Sequence, residues 1–125
     1  NEVDAAIARP VNDQEIVDDI VEIGAPTGII EPELGMKVQK FGRSTRYTVS
    51  TITQLNVTLQ INYGINKTAK FVRQILAGDM SDGGDSGSAI LDMNKNLVGL
   101  LFAGSETSTI INPIHAVFSK LGVSL

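Results

Sequence analysis

Within the stretch Tyr47–Tyr63, which is rich in Thr, Val and Ile, Val57, Leu59, Ile61 and Tyr63 alternate with Thr58, Gln60 and Asn62. A period of two sends one set of side chains to a core and the other to water, which suits a half-buried strand and no helix. The stretch exceeds a usual strand of about five or six residues, so a bend or hairpin is expected near Leu55–Val57. Shorter strands are expected at Met36–Phe41, Ala69–Leu76, Ser88–Asp92, Leu97–Ala103 and Ser108–Ile111, with turns at Gly64–Lys67 and Met93–Asn96. Only the end changes period. Ile114, Val117, Phe118 and Leu121 fall on one helix face, with Asn112 as N-cap, Pro113 at the first helical position and Gly122 as the stop. The chain therefore reads as all-β, a small closed six-stranded antiparallel barrel followed by a C-terminal helix.

The first third is different. Residues 1–9 read as a short apolar strand after an acidic start. Residues 10–35 hold Pro10, Pro26 and Pro32 and seven of the fourteen acids, and read as a connector with one strand near Ile16–Ile23. Two units are expected: 1–35, a strand end and connector, and 36–125, the barrel with its helix. The 125 residues suffice for one domain with a core. A net charge of −4 gives no attraction for a phosphate backbone, so no nucleic-acid partner is expected. No apolar run is long enough for a spanning helix, so no membrane partner is expected either. The absence of Cys excludes disulfides, thiolate-bound zinc and a thiol nucleophile, and leaves the compartment open. The start at Asn1 rather than Met reads as a processed or partial chain.

Chemistry concentrates in Asp79-Met80-Ser81-Asp82-Gly83-Gly84-Asp85-Ser86-Gly87-Ser88-Ala89. A serine hydroxyl is a weak nucleophile. It needs a base and a pair of N–H donors aimed at the oxygen that becomes negative. Glycines on both sides of Ser86 bring bare backbone close to a substrate, and the Gly84 and Ser86 amides are the candidate donors. Gly-Asp-Ser-Gly is also an acceptable surface turn. The loop lies between two strands and has Ser88, not Gly, two places after Ser86, which argues against a strand-to-helix nucleophile elbow. Asp79, Asp82 and Asp85 match no calcium-loop spacing, and neither metal nor cofactor is expected. Asn56-Val57-Thr58 and Asn66-Lys67-Thr68 are formal glycosylation acceptors. Arg43 and Arg46 read as a solvated hairpin rather than an anion site.

Gly84-Asp85-Ser86-Gly87-Ser88 resembles the nucleophile loop of chymotrypsin/trypsin-like serine peptidases. Asp4-Ala5-Ala6-Ile7-Ala8 resembles that family's catalytic aspartate and the apolar strand after it. Leu97–Ser105 resembles the strand that lines its substrate cleft, and Gly42-Arg43-Ser44-Thr45 the first strand pair of its second barrel. Asn112-Pro113-Ile114, entering the terminal helix, is similar to several bacterial members. The resemblance implies the second barrel plus the end of the first, with Ser86 as nucleophile and Asp4 orienting a histidine. It implies an oxyanion hole from Gly84 and Ser86, and a loop shaped by Asp85. The pocket would have Met80 as its floor and Phe102, Ala103 and Gly104 as its wall, favouring small or medium apolar residues. If the loop packs differently, Asp79 or Asp82 would instead favour a basic one. The implied partners are a peptide or protein substrate and the missing N-terminal segment of the same protein, in a secreted or cell-surface setting.

The family's histidine precedes its aspartate, and no His precedes Asp4. The sole histidine, His115, falls in the terminal helix and reads as structural or exposed. The chain alone is therefore expected to be inactive, as the C-terminal portion of a serine endopeptidase. The alternatives are a non-catalytic peptide-binding module on the same fold, or a barrel with no peptide site.

Overall fold

A computed structural model describes residues 1–125. Seven strands and one helix follow in order: β1 (Gly28–Ile29), β2 (Lys37–Gly42), β3 (Arg46–Asn62), β4 (Thr68–Gly78), β5 (Ala89–Asp92), β6 (Asn96–Gly104), β7 (Ser108–Pro113) and α1 (Ile114–Leu121). The sheet runs β1-β6-β5-β2-β3-β4-β7, and an added β6–β7 pairing closes β2–β7 into a six-stranded ring. All pairings in the ring are antiparallel, whereas β1 lies parallel to the start of β6, with Gly28 opposite Asn96.

Alternation decides what fills the ring. Val38, Ile52, Ile75, Ile90, Val98 and Ile111 point inward and form one buried cluster with Ala77, Met80 and Leu101. Leu91 and Leu97, on the outer face of β5 and β6, pack with Ile23 and with Ile114 and Val117 of α1. The helix thus covers the outside of the barrel, and its expected apolar face is the one that packs. Gly122 ends it in a left-handed conformation, its N–H bonded to the Phe118 carbonyl.

Several sequence expectations move. No hairpin interrupts β3. It stays one strand, and the shifts in its register with β4 lie between Ile52 and Leu59, with Asn56 at φ 53°. Residues 1–9 form no strand: main-chain bonds to β4 stop at Asn1, side-chain amides hold Glu2 and Asp4, and no amide from Ala5 to Arg9 is bonded. The connector's strand is Gly28–Ile29, while Ile20 and Gly24 share only an isolated bridge. Asn112 does not cap α1: Pro113 occupies the N-cap position with no side-chain bond, and the Asn112 amide is buried elsewhere.

Closure depends on close approach at Gly99. A Cβ there would stand 2.2 Å from the Asn112 carbonyl oxygen and 2.5 Å from Ile111 Cγ2. Gly99→Ala is expected to destabilise the chain by about 1–3 kcal/mol, the usual cost of overpacking. The urea midpoint of the variant measures it.

Candidate active site

The loop between β4 and β5 is shaped by a buried carboxylate. Asp85 is 0% exposed, and ionising it there requires compensation. Its Oδ1 accepts from the amides of Ser44 (2.8 Å) and Thr45 (3.2 Å). Its Oδ2 accepts from the Thr45 hydroxyl (2.6 Å) and the Asp82 amide (3.0 Å). Lys40, also 0% exposed, places Nζ 3.9 Å from Oδ2. The same Nζ donates to Thr45 Oγ1 (2.6 Å) and to the Arg46 carbonyl (2.9 Å). Burial by itself opposes ionisation of Asp85. The Thr45 hydroxyl and the amides of Asp82, Ser44 and Thr45 outweigh it and hold the carboxyl well below the usual carboxylate range. Burial pushes the Lys40 ammonium down from its ordinary value, with the Asp85 carboxylate opposing.

With Asp85 turned inward, the next side chain emerges. Ser86 is exposed, and its Oγ donates to the Phe102 carbonyl at 3.3 Å. The loop is stitched to β6 from both directions: Gly87 N–H to the Leu101 carbonyl (2.7 Å) and Leu101 N–H to the Ser88 carbonyl (2.9 Å). Gly84 sits at φ 100°, and a Cβ would meet Ser44 Oγ at 2.3 Å, so both backbone and space require glycine. Within Asp82–Ser88 the amides of Asp82, Gly83, Asp85, Gly87 and Ser88 are all bonded inside the chain. Those of Gly84 and Ser86 donate to no group of the chain.

Ser86 forms part of the wall of a hollow of about 540 Å³, with Asp79, Ser81, Asp82 and Gly83 from its own loop and residues of β6 and the turn after it, among them Ala103, Gly104 and Glu106. Met80 does not line it. Its side chain is 4% exposed and fills the barrel core, so the expected apolar floor is corrected: alternation turns Met80 inward and its neighbours Asp79 and Ser81 outward. Phe102 meets the serine loop through its backbone. Its ring packs on Phe71, with centroids 4.6 Å apart, and only its carbonyl reaches Ser86.

Asp4 is held at its backbone, where its N–H donates to Asn112 Oδ1 (2.9 Å). Its Oδ2 accepts from the Tyr63 hydroxyl at 2.8 Å. Tyr63 is pushed up to about 12, by burial first and then by this bond and the Asp4 charge. The two anchorages lie on paired strands: Asn112 of β7 is the register partner of Leu100 in β6, and the Ser86 loop bonds the β6 carbonyls of Leu101 and Phe102. His115 is elsewhere. It is exposed, places Nδ1 3.3 Å from Glu31 Oε1, and lines a separate hollow with Glu2, Leu55 and Arg73 that shares no residue with the first.

Sequence reasoning missed Lys40, Thr45, Gln74 and the use made of Asn112. Lys40 falls two places after Val38, on the same face of the strand, and Thr45 follows at the hairpin; that was the available signal for the first two.

A closed antiparallel barrel with a Gly-Asp-Ser-Gly loop at its rim and a helix outside it is the chymotrypsin-type fold of serine proteases. Among solved structures, Thermobifida fusca protease A is similar at TM-score 0.71 and 23% identity, over 83% of this chain and 56% of that one. Cellulomonas bogoriensis chymotrypsin is similar at TM-score 0.69 and 23% identity, over 78% and 53%. The 2A protease of human rhinovirus C15 is similar at TM-score 0.58 and 14% identity, over 78% and 71%. The chain spans about half the length of the two bacterial enzymes. At these identities it is the fold that is shared. No family profile and no curated protein matches the sequence.

A carboxyl held low in the folded state stabilises that state above its unfolded value, about 3.9 for Asp, and the contribution is lost as pH falls below it. Asp85→Asn, which leaves Lys40 buried without its carboxylate, is expected to cost about 3–5 kcal/mol at neutral pH. The variant is also expected to flatten the acid limb of the unfolding curve between pH 5 and 2, measured by urea unfolding at each pH.

Proposed function

We propose that this chain is the C-terminal portion of a serine endopeptidase, in which Ser86 attacks the scissile carbonyl and the Gly84 and Ser86 amides receive the oxyanion. Asp4 orients a histidine supplied from outside these residues. The observation that carries the reading is a loop that exposes Ser86 and leaves only the Gly84 and Ser86 amides unbonded, every other amide from Asp82 to Ser88 being committed. A donor of this kind is worth about 3–4 kcal/mol in the transition state when an oxyanion occupies the site. Residues 1–35 then belong to the end of a first barrel and the connector, and 36–125 to the second barrel. A second reading, a peptide-binding module without hydrolysis, is favoured by the position of His115, whose hollow is not that of Ser86.

Without a base, the hydroxyl keeps only the help of the oxyanion donors and of binding, a residual of about 10³–10⁴ over water. The isolated chain is therefore expected not to react with a fluorophosphonate probe. The complete gene product is expected to label at Ser86 and to lose labelling in Ser86→Ala. An unlabelled complete product that still binds extended peptides supports the second reading instead.

The lining of the hollow also revises the expected preference. Asp79, Asp82 and Glu106 face it with no Lys, Arg or His, so a cationic side chain before the cut is favoured over an apolar one. Each carboxylate is exposed and is worth about 0.2–1 kcal/mol. Asp79→Asn, Asp82→Asn and Glu106→Gln together are expected to lower kcat/KM for lysyl and arginyl substrates several-fold relative to leucyl ones.

A further inference from the structure

Away from the Ser86 loop, a buried side-chain pair joins the first residues to the barrel. Gln74 in β4 and Asn112 in β7 are both 0% exposed. Asn112 Nδ2 donates to Gln74 Oε1 at 2.6 Å. Gln74 Nε2 donates to the carbonyls of Glu2 and Val72, each at 2.9 Å. Asn112 Oδ1 accepts the Asp4 amide. Val72 N–H donates to the Asn1 carbonyl at 2.8 Å. From Ala5 to Arg9 no backbone amide finds a partner in the chain, so the anchorage ends at Asp4.

Two buried amides are a poor way to gain stability, since an apolar pair of the same shape fills the space without desolvating polar groups. They are a good way to fix register. One amide accepts from Asp4 while the other donates to Glu2, and only one alignment of residues 1–4 satisfies both. A slip of one residue would turn the Asp4 side chain to the opposite face.

We propose that Asn112 and Gln74 are positioning residues, an amide pair that sets the register of residues 1–4 and so fixes the Asp4 carboxylate relative to Ser86 across the β7–β6 pairing, in which Asn112 stands opposite Leu100 beside the Leu101 and Phe102 carbonyls that hold the serine loop. The assignment of purpose rests on the peptidase reading of Asp4; the latch itself does not.

The 125-residue chain suffices for the test. In the parent chain, hydrogen exchange at the Asp4 amide is expected to be at least about tenfold slower than at the unbonded amides of Ala6 and Ile7, once intrinsic rates are corrected. Equal exchange overturns the proposal. Asn112→Ala and Gln74→Met are then compared with Asp4→Asn by following the Tyr63 ring-carbon resonance through its titration. Release of Asp4 is expected to lower the Tyr63 midpoint from about 12 by as much in Asn112→Ala as in Asp4→Asn, and in the same direction in Gln74→Met. A folded Asn112→Ala chain that keeps the parent midpoint overturns the proposal, because a merely structural residue leaves that midpoint unmoved. If neither variant folds, the parent exchange decides. Neither readout involves hydrolysis, so failure of Ser86 to label would sink the peptidase reading and leave the latch standing.

Discussion

The geometry of the serine loop depends on one buried ionic contact. Asp85 and Lys40 meet inside the protein at 3.9 Å, with Thr45 Oγ1 between them, accepting from the ammonium and donating to the carboxylate. Removing both charges from water is expensive, and such pairs are seldom retained for stability alone. Their effect here is directional. The contact ties the loop between β4 and β5 to the hairpin of β2 and β3, far away in sequence. Because Asp85 must face inward, Ser86 must face outward. The carboxylate takes the Asp82 amide from the loop and three donors from the β2–β3 turn, while Asp82 and β6 accept most of the remaining loop amides and leave those of Gly84 and Ser86 unbonded. Hydrogen bonding, charge and chain alternation fix the same orientation.

The ring supplies the stiffness behind that contact. β6 pairs with β5 on one side and with β7 and β1 on the other; the serine loop bonds it directly, while the Asp4 segment is bonded to the neighbouring β7 and to β4. The loop bonds Leu101 and Phe102, and the Asp4 segment reaches Asn112 opposite Leu100. Closing the barrel at Gly99 fixes the spacing of β6 and β7, and therefore the distance between residues that lie far apart in the chain. The helix lies on the outer face and leaves the loop end open. Precision at the rim is a property of the whole ring, since a loop anchored to one free strand would inherit that strand's fluctuations.

Much of this was legible. Period-two alternation located the long strand and its neighbours, the helix face was evident from Ile114, Val117, Phe118 and Leu121, and the glycine-flanked serine stood out. What was not legible depends on contacts between distant residues. Asn112 has the composition of an N-cap, but Gln74 and Asp4 recruit its amide, and no local pattern records that. The resemblance implies Met80 as a pocket floor, yet its side chain packs with Ile52, Ile75 and Val98 in the barrel core, a contact that no local pattern records. The apolar look of residues 1–9 suggests a strand, but the main-chain bonds end at Asn1 and the side-chain amides of Gln74 and Asn112 take over at Glu2 and Asp4. Lys40 was overlooked because a strand lysine usually faces water, and only the inward turn of Asp85 makes its burial tolerable.

The site separates two tasks that serine catalysis normally presents together. In the proposed reading, stabilising an oxyanion demands rigid donors, and the contacts that would hold them lie within this chain: the buried Asp85 that ties the loop to the β2–β3 hairpin, the left-handed Gly84 that no side chain could replace, and the bonds that pin Gly87 and Ser88 to β6. Proton transfer demands a titrating imidazole beside Ser86, and the one imidazole here serves a different hollow. Preorganisation therefore does not wait on the base, because none of the contacts that orient the Gly84 and Ser86 amides involves a histidine. A fold built this way could lose or regain hydrolysis by changing a single remote segment while leaving the substrate-facing surface intact. The same architecture thus suits a peptidase and a peptide binder, and the imidazole alone would distinguish them.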